Sequence, residues 1–142
     1  MTRPVYAKND KMQCIVHVDG SATQNGCGEG IIFVSPEGDI YEYAMHFKFQ
    51  ASNNEAEYKA LICGIQMSKA TGAEEILAFS DSQLIGSQVN GEYEAKDATM
   101  IKYLEIVNQE MQPLKNFEVR RIPRAENNKA NALSKLASSA SW

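Results

Sequence analysis

The stretch C-I-V-H-V-D-G-S, residues 14–21, is the part of the chain from which the architecture is inferred. Its apolar, β-rich residues predict a strand over Cys14–Asp19 that stops at Asp19-Gly20. An acid at the end of such a strand stands at the carboxyl edge of an α/β sheet, where these sheets place their sites. Asp19 is therefore the first candidate functional residue.

Three other segments carry related chemistry. Glu57 stands in N-N-E-A-E-Y and Asp81 in F-S-D-S-Q, while R-A-E-N-N-K-A-N-A-L carries Asn131 where a fourth acid would suit the pattern. Taken singly, each position has an ordinary structural explanation, such as a turn, a helix cap or an exposed helical site. Carboxylates gathered at one edge, however, repel and need compensation, most simply by cations. Two divalent cations can cleave a phosphodiester, so the sequence predicts a metal-dependent nuclease.

Composition favours one intracellular domain. The chain has 142 residues, 44% of them hydrophobic and 23% charged, which suits a single globular core. No apolar run approaches the ~20 residues that span a bilayer, and the first residues show no basic-then-apolar pattern, so we expect no signal peptide, no membrane partner and a location in cytoplasm or nucleus. The three cysteines suit neither a disulfide framework nor a zinc site.

The charge is unevenly distributed along the chain. The net charge is −4, but residues 111–142 hold six bases against two acids. Such a basic stretch suits a phosphate backbone, and a solvated charged surface explains it equally well.

The periodicity of the chain predicts alternating strands and helices. Strands are expected over residues 14–19, 30–35, 40–49, 76–79 and 117–122. A helix capped by Asn53 or Asn54 should end at Thr71-Gly72, and Asp81-Ser82 should open a short one. Two more should cover residues 100–111 and the segment around Leu133. We expect a linker over 1–12, one domain over 13–138 and a tail over 139–142.

The order βββαβααβα predicts an α/β fold with a five-stranded mixed sheet. A meander followed by right-handed crossovers makes strands 1, 4 and 5 parallel, and strands 1 and 4 can then lie side by side. Asp19 and Asp81 then end neighbouring strands. Glu57 falls in the first turn of the helix after strand 3, and Asn131 in the first turn of the last helix, so all four should meet at one edge.

The chain resembles the type 1 ribonuclease H family over residues ~13–138. The motifs V-D-G-S, N-N-E-A-E-Y-x-A-L, S-D-S-Q-L-I and I-P-R-x-E-N-x-x-A-x-A-L carry the resemblance, and Q-V-N-G-E-Y-E-A-K-D points to gypsy-class LTR retrotransposons. It implies an RNase H-like fold, with the strand order 3-2-1-4-5 and helices on both faces of the sheet. It also implies an enzyme that hydrolyses the RNA strand of RNA–DNA hybrids with two Mg²⁺ ions, for which Mn²⁺ can substitute. It also implies a reverse transcriptase domain as partner in a larger polyprotein. The metal ligands it implies are Asp19, Glu57, Asp81 and position 131.

The same resemblance implies a set of residues that contact the substrate. Asn53, Asn54 and Gln83 match positions that contact the minor groove of the hybrid, and Asn25 and Ser52 match a pocket for a DNA phosphate. Backbone groups of Gly20 and Ser21 would meet the RNA 2′-hydroxyls. Glycines 26, 28 and 30 would permit close backbone approach.

Two departures from the family pattern are expected to change activity. Many relatives carry a histidine before the fourth acid, where this chain has Arg124, which contacts phosphate but cannot shuttle a proton near neutral pH. Asn131 supplies a neutral oxygen in place of a carboxylate, so we expect weakened cleavage. The alternatives are a non-catalytic hybrid-binding module, an integrase-like or exonuclease member of the fold, and a structural domain without chemistry.

Overall fold

The computed structural model describes residues 12–24, 26–48, 51–91 and 97–138. The predicted tail, and the predicted linker except Met12, lie outside these ranges. The described elements are β1 (Gln13–Thr23), β2 (Gly26–Val34), β3 (Ile40–Phe47), α1 (Asn53–Ala70), β4 (Glu75–Ser80), α2 (Gln83–Val89), α3 (Ala98–Met111), β5 (Asn116–Arg121), a 3₁₀ turn (Arg124–Asn127) and α4 (Asn128–Ser138). Among the described residues, no helix combines the length and the apolarity needed to cross a bilayer.

The sheet has the predicted order β3-β2-β1-β4-β5. The meander strands β1, β2 and β3 pair antiparallel, whereas β4 lies parallel to both β1 and β5. Helix α1 covers one face of the sheet and α4 covers the other. Glycines of the sheet and of α1 allow the helices to pack close to the strands. The prediction of a five-stranded mixed sheet with helices on both faces is confirmed.

The main core lies between the sheet and α1. Alternate residues of β1, Cys14, Val16 and Val18, point to this face and are at most 1% exposed. They pack with the apolar stripe of α1, which includes Leu61 and Ile65. Burying each large aliphatic side chain contributes roughly 1.5–3 kcal/mol, so this layer fixes α1 on the sheet.

Several predicted boundaries are wrong in a way that bears on the site. Strand β1 does not stop at Asp19-Gly20 but continues to Thr23, and β2 begins at Gly26, so most of the segment between the first two predicted strands is itself strand. Gly26 has φ +127°, which favours glycine and allows the tight reversal between the strands. The continuous apolar run over residues 76–79 is typical of a strand buried on both faces, but Leu77 and Phe79 are only half-buried.

Serines cap the two helices that begin near the acids. Ser52 Oγ accepts a hydrogen bond from Glu55 N at 3.1 Å at the start of α1, so neither predicted asparagine is the cap. Ser82 Oγ accepts from Ile85 N at 3.3 Å at the start of α2, which begins directly after Asp81-Ser82 as predicted. The carboxylates are thus left free of the capping role that would have explained them without function.

A second buried acid, Glu29 on β2, faces α1 away from the predicted site. It is fully buried; its Oε1 accepts from Cys63 Sγ at 3.4 Å, and its Oε2 has no hydrogen-bond partner among the described residues. Burial raises the pKa of Glu29 to about 7, against a weaker opposing effect of the Cys63 hydrogen bond. The folded protein therefore holds this proton more tightly than the unfolded chain.

Replacing this acid should flatten the pH dependence of stability. Because the folded pKa of Glu29 lies above the unfolded value, its contribution to stability is lost as the pH rises through about 7. Between pH 5 and 8 the unaltered protein should lose roughly 2–3 kcal/mol more unfolding free energy than Glu29→Gln. Urea denaturation at both pH values measures this difference. Glu105→Gln, on the exposed face of α3, is the control and should keep the unaltered pH slope; a parallel slope in Glu29→Gln would contradict the prediction.

Candidate metal centre and nucleic-acid interface

The parallel register of β1 and β4 sets the first two acids side by side. The last pair in this register is His17 with Phe79, so Asp19 and Asp81 each follow two residues later on neighbouring strands. Asp19 lies within β1 and is 1% exposed, whereas Asp81 directly follows the end of β4. The pairing of β1 with β4 is enough to bring these two acids to one edge of the sheet, as the sequence predicted.

Glu57 reaches the same edge because α1 begins directly over Gly20. A Cβ at Gly20 would lie 2.2 Å from the backbone carbon of Ala56, so only glycine allows this approach. Glu57 Oε1 accepts from Gly20 N at 3.0 Å, and its Oε2 accepts from Ser80 Oγ at 3.3 Å. The buried carboxylate is thus fixed by both strands that it faces.

The three carboxylates form a cluster suited to a hard cation. One oxygen from each of Asp19, Glu57 and Asp81 lies within 4.8 Å of the others. Burial raises the pKa of Glu57, and the charge of Asp19 raises it further; burial and Asp19 likewise raise the pKa of Asp81. Within the described ranges, Asp19 Oδ1 and Asp81 Oδ2 are buried without a hydrogen-bond partner. A divalent cation would supply the missing partner and offset the repulsion.

Asn131 is brought to the cluster by α4. The residue lies in the first turn of this helix, the position expected from the sequence, and its Nδ2 donates to Asp19 Oδ2 at 3.1 Å. The helix lies directly on Gly30, the cross-strand partner of Asp19, where a Cβ would be 2.0 Å from Ala130 O. The asparagine therefore donates a hydrogen bond to Asp19 at the place where an acid would have offered another oxygen.

Positive charge at the edge comes from arginines of β5 and the 3₁₀ turn. Arg124 Nε lies 3.6 Å from Asp81 Oδ2, and Arg121 and Arg124 both oppose the rise in the pKa of Asp81. The wider basic stretch is partly neutralised by acids, with nitrogen–oxygen distances of 2.6–2.7 Å in the pairs Lys115–Glu74, Arg120–Glu118 and Lys129–Glu42. Such exposed pairs are weak, yet they leave less free positive charge than the sequence suggested.

The predicted substrate residues have mixed surroundings. Asn53 Oδ1 accepts from Ala22 N at 3.2 Å, which ties α1 to the β1 extension and leaves the Asn53 amide group as a donor. Gly20 and Ser21 lie in β1 beside the acids. Ser52 and Asn54 are exposed at the start of α1 and line a shallow cavity of about 440 Å³. Gln83 begins α2, and Asn25 lies outside the described residues.

Three residues that hydrogen-bond to the acids or to the strand beside them were not predicted from the sequence. Ser80 holds Glu57, Ser134 donates to Asp19 Oδ2, and Asn127 Nδ2 donates to Val18 O at 2.9 Å. Ser134 follows Asn131 by three positions and therefore shares its helix face, which is a signal that the sequence did offer. Ser80 precedes Asp81 directly, but nothing local distinguishes it from an ordinary strand serine.

Comparison with known proteins places the chain among ribonuclease H-like domains. A family model described as "Reverse transcriptase-like" matches residues 17–137. The ribonuclease HI of Halobacterium salinarum is 28% identical over 123 residues, covering 85% of this chain and 62% of that protein. The chain thus spans less than two thirds of this curated relative.

Solved structures give the same fold. The RNase H1 crystal structure from Halobacterium salinarum has a TM-score of 0.81 at 27% identity and covers 88% of this chain and 96% of that one. LC11-RNase H1, solved in complex with an RNA/DNA hybrid, has a TM-score of 0.79 at 26% identity and covers 87% and 95%. The foamy viral protease-reverse transcriptase, at 16% identity and a TM-score of 0.75 over 91% of this chain and 20% of that one, shares the fold.

Replacing Asp19 should abolish Mg²⁺ binding without destabilising the fold. In EDTA, the unfolding free energy of Asp19→Asn should equal that of the unaltered chain or exceed it by on the order of 1 kcal/mol. It removes one repelling charge, and an amide oxygen can still accept from Asn131. Stabilisation by Mg²⁺ should disappear. Urea denaturation with EDTA and with Mg²⁺ measures both effects.

The matched control is Asp97→Asn, which removes the same charge at the N-cap of α3, where asparagine caps equally well. It should retain the stabilisation by Mg²⁺. A loss of about 2 kcal/mol or more in Asp19→Asn with EDTA present would instead assign Asp19 a structural role.

Proposed function

The chain belongs to the reverse transcriptase-like family, and from this membership we propose that it binds RNA–DNA hybrids and hydrolyses their RNA strand with divalent metal ions. The observation that carries the proposal is the convergence of Asp19, Glu57 and Asp81, with buried carboxylate oxygens left unpartnered among the described residues. The similarity to ribonuclease HI supports the reaction type.

The residues at the edge fit a pair of Mg²⁺ or Mn²⁺ ions. Asp19 would be shared between the two, with Glu57 and Asp81 completing one ligand set and position 131 contributing to the other. All of these side chains offer hard oxygen ligands, as these cations require. Ions bound there would supply activation of water and neutralisation of charge on the phosphate. The chain itself orients the ligands, through Gly20 N and Ser80 Oγ on Glu57.

Substrate choice would rest on groups around the same edge. The Asn53 amide group, with Asn54, Gln83, Asn25 and Ser52, would contact the hybrid. The backbone of Gly20 and Ser21 would distinguish RNA from DNA through the 2′-hydroxyl. Arg124, close to Asp81 and largely exposed, would contact the scissile region of the phosphate backbone. It cannot take the proton-transfer role of a histidine.

We further propose that this domain, residues 13–138, acts beside a reverse transcriptase domain in an intracellular polyprotein of the gypsy retrotransposon class. The family description and the shared fold of the foamy viral protein support the reverse transcriptase association, and the motif Q-V-N-G-E-Y-E-A-K-D supports the retrotransposon class.

Asn131 should weaken the reaction. Its side chain donates to Asp19 and carries no charge, so the ligand set at that side loses one negative oxygen. This observation also favours the second candidate, a hybrid-binding module without cleavage. Both candidates require hybrid binding and differ only in turnover.

Restoring an acid at position 131 distinguishes the nuclease from the hybrid-binding module. Asn131→Asp should accelerate single-turnover cleavage of a labelled hybrid by roughly 100-fold or more, equivalent to several kcal/mol of transition-state stabilisation, because a charged oxygen ligand is regained. Affinity for the hybrid should change little, since position 131 is not proposed to grip it. Mn²⁺ should rescue the unaltered chain in part.

The matched control is Asn128→Asp, which adds the same charge on the exposed side of the first turn of α4. It should leave the rate unchanged. Equal rates for Asn131→Asp and the unaltered chain would remove position 131 from the site. Equal affinity for hybrid and for double-stranded DNA at one salt concentration would reject the proposed function altogether.

A further inference from the structure

Ser134 is a buried serine that touches the cluster and has no place in the function proposed above. It lies on α4, one turn beyond Asn131, and is fully buried. Its Oγ donates to Asp19 Oδ2, the same oxygen that accepts from Asn131 Nδ2. Two donors thus meet on one oxygen of the central acid, and the other oxygen, Oδ1, has none within the described part of the chain.

The hydroxyl has two acceptors within reach but only one proton. Besides Asp19, the backbone oxygen of Asn131 lies 2.9 Å away, which is the ordinary contact of a helical serine with its preceding turn. The contact with Asp19 is directed at a buried carboxylate. Charge-assisted hydrogen bonds are roughly twice as strong as neutral ones, so the hydroxyl donates its hydrogen bond to Asp19.

The position of Ser134 is a consequence of close helix–sheet contact. A Cβ at Gly30 would lie 2.0 Å from Ala130 O and 2.8 Å from Ser134 N, so the α4 backbone rests on the strand with no side chain between. Gly30 is the cross-strand partner of Asp19, so Ser134 lies beside the Asp19 carboxylate and its hydroxyl contacts it.

We propose that Ser134 is a positioning residue, whose hydroxyl fixes Asp19 Oδ2 and so presents Oδ1 to the divalent ion. The inference rests on the proposed function for its ion. Repulsion from Glu57 and Asp81 would otherwise turn the Asp19 side chain away, and a neutral asparagine at 131 supplies only one of the two donors that resist it. Holding the ligand in place before the ion arrives reduces the ordering that binding requires.

The test is Mn²⁺ binding to the full chain, measured by electron paramagnetic resonance of the free ion. Ser134→Ala should bind Mn²⁺ roughly 5- to 10-fold more weakly than the unaltered chain, and Ser134→Thr, which keeps a hydroxyl, should recover most of the affinity. The matched control is Ser68→Ala. Ser68 is also a fully buried helical serine, but it donates to Gly64 O at 2.8 Å, away from the cluster.

Unchanged Mn²⁺ affinity in Ser134→Ala would overturn the inference, as would an equal loss in Ser68→Ala, which would indicate a general effect on folding. Absence of Mn²⁺ binding by the unaltered chain would overturn it as well. If affinity depends on Ser134 while no variant, Asn131→Asp included, cleaves the hybrid, the inference stands and the proposed function fails.

Discussion

Two positions without side chains, on either side of Asp19, hold the site together. Gly20 follows Asp19 on β1 and points to α1, while Gly30 is its partner on β2 and points to α4. At each, a helix backbone lies where a Cβ would be, at 2.2 Å from Ala56 C and 2.0 Å from Ala130 O. Because backbone cannot yield as a flexible side chain can, these contacts determine how near Glu57 and the α4 donors come to Asp19.

That closeness has an electrostatic cost, which the surroundings offset only in part. The raised pKa values of Glu57 and Asp81 express burial together with repulsion from Asp19. Donors from the backbone of Gly20 and from the side chains of α4 compensate some of it, and Arg124 compensates Asp81. Asp19 Oδ1 and Asp81 Oδ2 accept no hydrogen bond among the described residues and are available to a cation, so the repulsion within the cluster lowers stability until a ligand binds.

The sequence predicted the sheet and the meeting of the acids because those depend on local signals. β-rich runs and crossover handedness give the strand order, and the order alone brings Asp19 and Asp81 together. The role of Ser134, the burial of Glu29 and the pairing of Lys129 with Glu42 depend instead on how closely α4 and α1 approach the sheet. Glycine patterns hint at such contacts but do not say which helix makes them. The capping serine of α1, Ser52, was missed because the asparagines beside it offer the same hydrogen bond.

The most direct measurement of the central constraint is Mn²⁺ affinity, with the urea midpoint, of Gly30→Ala. The added methyl must displace α4, so we expect Mn²⁺ binding to fall at least ~10-fold together with stability. Gly86→Ala is the control, since its Cβ would meet only Val119 Cγ1 at an ordinary 3.8 Å and a helical position gains from alanine. If Gly30→Ala instead keeps both the Mn²⁺ affinity and the midpoint of the unaltered chain, the seating of α4 on Gly30 does not assemble the site.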